Sequence, residues 1–388
     1  MKPTFSKGGK LGFLASTFDA FETFLFVPNT TTTKGAHIRD CNDMKRTMIV
    51  VVVALIPALL FGMYNVGYQV GMTGFSAFWF GFLKVLPIIV VSYVVGLAIE
   101  FGFAQSRGHE VNEGFLVTGL LIPMIMPVDV PLWIVALATA FAVVFGKEVF
   151  GGTGMNVFNP ALLARAFAFF AYTPQMSGEK VWYACDAVSG ATALESLSTT
   201  GELGVNAVSG ESVSVCDAFL GFIPGSVGET STLAILIGAA ILLFTGVSSW
   251  RTMLSVFVGG FVMALVFNWI APSIEIPADA AEDVAAGLAS KKAFMSIAPY
   301  MHLIVGGFAF GAVFMATDPV TSAQTNTGKY IVGFMTGALA IVIRVCNPAY
   351  PEGMMLSILF MNALTPLVDY FVVERNMARR KRRIKTVK

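Results

Sequence analysis

Long apolar segments separated by short polar loops run through most of the chain. A helix needs about 20 apolar residues to cross the hydrocarbon layer of a bilayer, and fewer where neighbouring helices shield it. The pattern therefore predicts an all-α polytopic membrane protein with about ten transmembrane helices. Their expected bounds are 47–68, 84–104, 115–128, 131–146, 160–173, 232–249, 252–271, 301–317, 330–346 and 353–372.

Five such helices fall on either side of a long polar loop. Because each half has an odd number of crossings, the second half is expected to be inverted relative to the first, and inverted repeats place a ligand site at their interface. Asn159-Pro160-Ala161 in the first half recurs as Asn347-Pro348-Ala349 in the second. The predicted units are an N-terminal segment (1–43), a first repeat (44–173), an exoplasmic loop (174–231), a second repeat (232–372) and a basic tail (373–388).

Basic residues indicate how the helices are oriented. If about ten helices cross the membrane, the lysines and arginines of the short loops and of the C-terminal tail all fall on one side, which is then the cytoplasm. Both termini are expected there. The 174–231 loop carries seven acidic residues against Lys180 alone, which favours its export. The N-terminal segment is expected to contain no cleavable signal peptide and to form an amphipathic helix on the membrane surface.

Composition narrows the functional classes. Hydrophobic residues make up 56% of the chain and charged residues only 13%, against about 25% charged in soluble domains. A net charge of +1 without a basic stripe gives no indication of a nucleic-acid partner. The four cysteines show no CxxC spacing, which argues against zinc or iron–sulfur ligation by this chain alone. Cys185 and Cys216 of the exported loop could pair or remain free thiols.

A stretch of small residues in the exported loop, Ser189-Gly190-Ala191-Thr192, points to a modification site. The small neighbours leave the Thr192 hydroxyl unshielded, so a bulky group could be attached there. As a bare pattern this is weak, because loops of small residues are common.

The loop between the fourth and fifth helices is rich in glycine and asparagine. Gly151 and Gly152 free the backbone to approach a ligand closely, and Asn156 and Asn159 offer paired donors and acceptors. An isoalloxazine or quinone ring needs amide groups that hydrogen-bond to its edge and apolar side chains that contact its face. Alternatively, the loop is re-entrant and satisfies only its own backbone.

Three carboxylates lie in or next to apolar helices. Asp318 could cap a half-helix, cradle a flavin polyol or help to bind a cation. Glu100 and Asp369 lie inside predicted helices, where a charge costs about 2.5–3.5 kcal/mol and usually faces a cavity or a partner. Oxygen ligands of this kind suit sodium. Alternatively, the two side chains reach water or pair with Arg107 and Arg375.

Taken together, the motifs resemble the B subunits of bacterial sodium-translocating NADH:quinone oxidoreductases over almost the whole chain. The resemblance implies a translocase of six different subunits (this one with A, C, D, E and F) in the bacterial inner membrane. Electrons from NADH would pass through flavins and iron–sulfur centres to ubiquinone or menaquinone, coupled to sodium export. The stretches that carry it include Gly62–Asn65, His109–Phe115, Lys147–Ala161, Ser189–Leu194, Gly306–Gly311, Ala316–Val320, Asn347–Met355 and Val373–Asn376.

The resemblance also implies roles for individual residues, none of them directly catalytic. Thr192, preceded by Ser189 and Gly190, takes the position of an FMN phosphoester made by an exported flavin transferase. Gly96 takes the position of the first of two glycines tied to quinone binding, and Leu97 stands where the second would be, which leaves quinone preference and inhibitor sensitivity open. Gly151, Gly152, Asn156, Asn159 and Asp318 correspond to the riboflavin region, and Glu100 and Asp369 to the sodium path.

Other functions remain possible from the sequence. A related membrane protein, the D subunit of the Rnf complex, which joins ferredoxin oxidation to NAD⁺ reduction, shares the flavin-bearing threonine. A cofactor-free channel or transporter would conduct a solute without bound flavin. An assembly scaffold would neither conduct a solute nor bind flavin. The motif that ends at Thr192 favours the redox subunit.

Overall fold

The computed structural model describes residues 34–36, 44–107, 114–176, 192–200, 204, 212–274, 282–347 and 352–386. Within these ranges the regular elements are helices and there is no β-strand. Five of the helices are long and apolar enough to cross a membrane, and three shorter ones are also apolar. The chain is therefore an all-helical, multi-pass membrane protein, as the sequence predicts. The proposed N-terminal surface helix lies outside the described residues.

The described residues of the first half form five helices, of which the third to fifth are short. A π-helical turn, Val144–Glu148, extends the fourth helix towards the glycine-rich loop. The helices are α1 (Met44–Tyr68), α2 (Gly74–Arg107), α3 (Phe115–Met124), α4 (Leu132–Val143) and α5 (Pro160–Ala171).

Short helices link the two halves and interrupt the second. The connecting helices are α6 (Thr173–Met176), α7 (Ala193–Thr200) and α8 (Val215–Leu220). The second half contains α9 (Thr232–Phe244), α10 (Trp250–Ile270), α11 (Glu282–Met295), α12 (Pro299–Ile304), α13 (Phe308–Phe310), α14 (Asn326–Cys346) and α15 (Met354–Thr386). A 3₁₀ turn, Ala271–Ser273, ends α10, and a second π-helical turn, Gly311–Met315, extends α13.

The predicted helix 301–317 is not continuous, because α12 ends before Gly306 and α13 begins after Gly307. Gly306 has φ +73°, a left-handed conformation that ends a helix and favours glycine. A Cβ on Gly307 would lie 2.8 Å from Oε1 of Glu229, so a larger side chain there would displace the Glu229 carboxylate. Elsewhere, α2 begins at Gly74 rather than at residue 84, and α15 continues through the basic tail to Thr386.

The short helix α13 is deeply buried, whereas the long helices α2 and α10 carry exposed apolar side chains. Phe308 and Phe310 of α13 are fully buried, whereas Trp79, Leu254 and Trp269 on α2 and α10 are at least half exposed. Helices with apolar surfaces on every side are typical of membrane spans. The exposed apolar surfaces of α2 and α10 therefore fit contact with lipid or with other membrane subunits.

Glycines let the long helices touch backbone to backbone. A Cβ on Gly81 of α2 would lie 1.8 Å from the Met63 carbonyl oxygen of α1, and one on Gly259 of α10 would lie 2.1 Å from that of Phe334 on α14. Small residues at such contacts are the usual means by which membrane helices pack closely. The α1–α2 and α10–α14 pairs are therefore in close backbone contact.

Candidate functional site

A cavity lies where the two halves of the fold meet, between loops that are far apart in sequence. The loop before α5 contributes Asn156 and Asn159, and the segment after α13 contributes Thr317 and Asp318. Apolar walls come from the first and third helices, from the end of α9 and from the second π-helical turn. They include Met48, Val51, Val117, Leu121, Leu242, Val247 and Phe314.

The asparagines of the cavity also organise their own loop. Asn159 precedes Pro160 and accepts hydrogen bonds on Oδ1 from the N–H groups of Ala161 (3.0 Å) and Leu162 (3.5 Å), so it is the N-cap of α5. The side-chain amide of Asn156 donates to the Phe158 carbonyl at 3.0 Å. Both residues therefore shape the loop as well as lining the cavity.

The neighbouring glycines set the path of the same loop. Gly151 and Gly152 have φ angles of +121° and +97°, which favour glycine. Neither residue lines the cavity. Their contribution is to turn the chain from the first π-helical turn back towards Asn156.

Asp318 holds a turn rather than capping a helix. Its carboxylate accepts hydrogen bonds from the Val320 N–H at 3.2 Å and from the Thr321 hydroxyl at 3.0 Å. The next helix, α14, begins at Asn326 with Thr325 as its N-cap, so the helix-cap alternative for Asp318 is wrong. Burial raises the pKa of the Asp318 carboxyl above its ordinary value, and the two hydrogen bonds act in the opposite direction.

Glu100 forms a buried ion pair with Lys147, and both side chains are nearly inaccessible to solvent. Lys147 also lines the cavity, whereas Glu100 lies behind it. Arg107, which the sequence offered as a partner for Glu100, instead meets Glu148. Its Nη2 donates to the Glu148 carbonyl at 2.9 Å, and its Nη1 lies 3.4 Å from Oε2.

Gly96 lies on α2 beneath the ring of Phe115. A Cβ on Gly96 would come within 1.8 Å of Cζ of that ring. The Tyr93 ring meets the same ring edge-on at 6.2 Å, and Nζ of Lys147 lies 5.9 Å from its centroid. Gly96 thus belongs to one cluster with Lys147 and Glu100, while Leu97 is half-buried on the adjacent surface.

Asp369 lies at a different helix junction. Its carboxylate accepts hydrogen bonds from the N–H groups of Gln324 (2.7 Å) and Thr325 (3.2 Å), and also from the Thr325 hydroxyl. It does not line the cavity. In the structure it attaches α15 to the segment that leads into α14.

Thr192 stands at the start of α7. Its hydroxyl oxygen accepts the Glu195 N–H at 3.2 Å, and its side chain is half-buried rather than fully open. Leu194 and Leu197 of α7 are buried, and the Ser290 hydroxyl on α11 donates to the Ser198 carbonyl at 2.6 Å. The threonine is therefore held on a packed helix. Ser189, Gly190 and Cys185 lie outside the described residues, so the two alternatives for Cys185 and Cys216 stay predictions.

Near the α12–α13 break, four charged side chains are grouped together. Arg165 pairs with the carboxylate of Glu352, and its Nη1 lies 3.9 Å from Oε1 of Glu229. Arg344 donates to the carbonyls of His302 (2.6 Å) and Glu352 (3.4 Å). Arg165 thus holds the Glu352 carboxylate, while Arg344 holds the Glu352 backbone.

Comparison with known proteins identifies the family. The family model described as "NQR2, RnfD, RnfE family" matches residues 31–378. The chain belongs to the NQR2, RnfD, RnfE family. Two relatives are named as the B subunit of Na(+)-translocating NADH-quinone reductase. The protein of Chromohalobacter salexigens is 47% identical, with 99% of this chain and 95% of that protein covered. The protein of Azotobacter vinelandii is 45% identical, with 97% and 96% covered.

In this member of the NQR2, RnfD, RnfE family, the site residues expected from the sequence fall in four places. Asn156, Asn159 and Asp318 meet in the cavity, and Gly96 and Glu100 lie behind it. Thr192 lies at the start of α7, and Asp369 lies within α15 beside the start of α14. Lys147 belongs to a stretch that carries the family resemblance, but neither it nor Arg165 was predicted as a site residue. The available signal for Arg165 was its position as a lone cation inside an apolar helix, since such residues usually have a buried partner.

Proposed function

We propose that this chain is the membrane subunit of a sodium-translocating NADH:quinone reductase. In this role it carries flavins between the electron-input subunits and ubiquinone or menaquinone, and couples their reduction to sodium export. Five further subunits complete the complex in the bacterial inner membrane. The observation that carries the proposal is the 47% identity to a protein of that name over 99% of the chain.

The lining of the cavity has the chemistry that a riboflavin site requires. Val117, Leu242 and Phe314 provide apolar walls of the kind that a flavin ring requires, while Asn156 and Asp318 provide polar groups for its edge or its polyol chain. Riboflavin, when bound, supplies one-electron transfer. The part of the chain is to hold the ring between apolar walls and to limit the access of water.

Thr192 suits attachment of FMN through its phosphate. The N-terminus of α7 directs backbone N–H groups towards Thr192, and a helix N-terminus favours a phosphate. Because Leu194 and Leu197 anchor α7, a group esterified to Thr192 would have a fixed attachment point. FMN, when attached, supplies a second redox centre. We place this loop on the periplasmic side, where an exported flavin transferase can reach it.

Sodium is the transported substrate, and Glu100 and Asp369 are the proposed carboxylates of its path, with Asp318 at the cavity. Oxygen ligands of this kind suit a hard cation. The quinone is proposed to bind near Gly96 and Leu97, where the Phe115 ring closes over the glycine. The proposed topology has ten crossings in two inverted repeats, with both termini in the cytoplasm.

The proposal is tested on Thr192. The native complex, made in a host that supplies the flavin transferase, is denatured and digested, and the peptide containing Thr192 is examined by flavin fluorescence and mass spectrometry. We expect an FMN-sized mass increment on Thr192, its loss in Thr192→Val and its retention in the control Thr173→Val. An unmodified Thr192 in the wild type would instead favour a cofactor-free transporter.

A further inference from the structure

Lys147 occupies an unusual position between a buried carboxylate and the cavity. It lies in the first π-helical turn, Val144–Glu148, and only about 3% of its surface is exposed. Its ammonium group pairs with Glu100 on one side, while its side chain lines the cavity on the other. Because Glu100 does not itself line the cavity, a cation arriving from the cavity meets Lys147 before it meets Glu100.

The surroundings of the ammonium are those of a site for a monovalent cation. Among the described residues, one carboxylate, that of Glu100, and one aromatic face, that of Phe115 at 5.9 Å from Nζ, contact it. Both features attract cations. A single carboxylate neutralises one positive charge, so this site is electroneutral with either the ammonium or one sodium ion, but not with both.

In the part of the chain that the structure describes, two other carboxylates belong to the region of Lys147, those of Glu148 and Asp318. The adjacent residue, Glu148, is held by Arg107 through hydrogen bonds to its carboxylate and to its carbonyl. Asp318 lines the same cavity as Lys147 from the other half of the fold. A Lys147 ammonium displaced from Glu100 therefore has an acceptor across the cavity, whereas Glu148 is already engaged.

We propose that the ammonium of Lys147 competes with sodium for the carboxylate of Glu100. When sodium occupies Glu100, the lysine turns into the cavity towards Asp318, and when the lysine returns, it displaces the ion. The exchange keeps the buried carboxylate neutralised, which avoids the cost of an isolated buried charge. This inference rests on the proposed sodium role of Glu100. The inference adds Lys147 as the residue that displaces sodium from Glu100.

The half-saturating sodium concentration for quinone reduction by the intact complex tests the proposal. Lys147→Met removes the competing charge while keeping a long side chain, so sodium should bind more tightly. We expect the half-saturating concentration to fall about tenfold, within the range typical of coupling between sites. Lys381→Met, on the exposed C-terminal part of α15 and on the same predicted side of the membrane, is the control and should leave the value unchanged.

Two further variants separate the possible outcomes. In a Glu100→Gln background, Lys147→Met should have no further effect on the half-saturating concentration. An unchanged sodium dependence in Glu100→Gln alone would refute the proposed role of Glu100. A sodium dependence that changes in Glu100→Gln but not in Lys147→Met would refute only the competition by Lys147.

A purely structural role for the ion pair gives a different result. It predicts reduced assembly or a lower maximal rate for Lys147→Met, with an unchanged half-saturating concentration, and that result overturns the proposal. If the methionine variant does not assemble, the sodium dependence of Lys147→Arg tests the proposal instead. Its guanidinium can hold a carboxylate through two hydrogen bonds, so the half-saturating concentration should rise several-fold, and an unchanged value overturns the proposal.

Discussion

Gly96 and Phe115 illustrate how single residues determine the packing behind the cavity. The Phe115 ring lies where a side chain of residue 96 would be, and it also faces Tyr93 and Lys147. A movement of this ring therefore changes the surroundings of the buried ion pair formed by Lys147 and Glu100. In this way the proposed quinone and sodium residues share one neighbour.

Gly96→Ala should therefore reduce stability and quinone affinity, although it adds only one methyl group. The added Cβ would lie 1.8 Å from Cζ of Phe115, so the ring must move. We expect a loss of about 1–3 kcal/mol in stability, as for other overpacked cores, together with a raised half-saturating quinone concentration. Gly102→Ala on the same helix has no atom within 4 Å of its Cβ and is the matched control. Equal behaviour of the two variants in thermal denaturation and quinone titration would contradict this account.

The partner of Glu100 shows what the sequence leaves undetermined at this scale. Its position inside an apolar helix correctly predicts that a partner or a cavity is near. Arg107 is the obvious partner by sequence distance, since both residues lie on α2. The structure instead brings in Lys147 through the packing of α2 against α4 and its π-helical turn. Only tertiary packing distinguishes the two cations.

At the scale of the helices, the break between α12 and α13 affects the packing of several other parts of the fold. Gly306 and Gly307 leave room for Leu194 of α7 and for the carboxylate of Glu229. The break therefore supports both the buried charges and the helix that carries Thr192.

Gly306→Ala should disturb this junction. A Cβ there would lie 2.9 Å from Leu194 Cδ2 and 3.3 Å from Arg344 Nη2. Gly246→Ala is a close control, because its φ of +70° matches the +73° of Gly306 while its Cβ would meet no atom within 4 Å. We expect the control to lose only about 1 kcal/mol from backbone strain, and Gly306→Ala to lose more and to carry less FMN. Matching melting temperatures and flavin contents in the two variants would show that the junction is unimportant.

Continuous apolar runs made the long helices predictable. The expected bounds 47–68, 252–271 and 330–346 differ from α1, α10 and α14 by at most four residues at either end. The run 301–317 is equally apolar, but glycines are tolerated within membrane helices, so its sequence does not reveal a break. The contacts of Gly306 and Gly307 with distant side chains explain it. Tertiary packing likewise brings Asn156 and Asp318 to one cavity. The sequence predicted their association only through the family resemblance.

For the whole molecule, the charge distribution gives a testable topology. Cys216 is exposed and belongs to the loop proposed to be exoplasmic, whereas Arg379 is exposed on the C-terminal extension of α15. With the other cysteines replaced by serine, a membrane-impermeant maleimide should label Cys216 in spheroplasts. The variant Arg379→Cys, with Cys216→Ser, should react only after lysis. The reverse pattern would invert the proposed orientation.

The most direct test of the account is sodium uptake by inside-out membrane vesicles during NADH oxidation. Vesicles from cells that lack this chain are compared with vesicles from cells in which it has been restored. We expect the restored vesicles to take up sodium, with quinone as the electron acceptor, and to continue when a protonophore is present. We expect vesicles without the chain to lose this uptake. Sodium uptake and quinone reduction that are equal with and without the chain would contradict its role in a sodium-translocating NADH:quinone reductase.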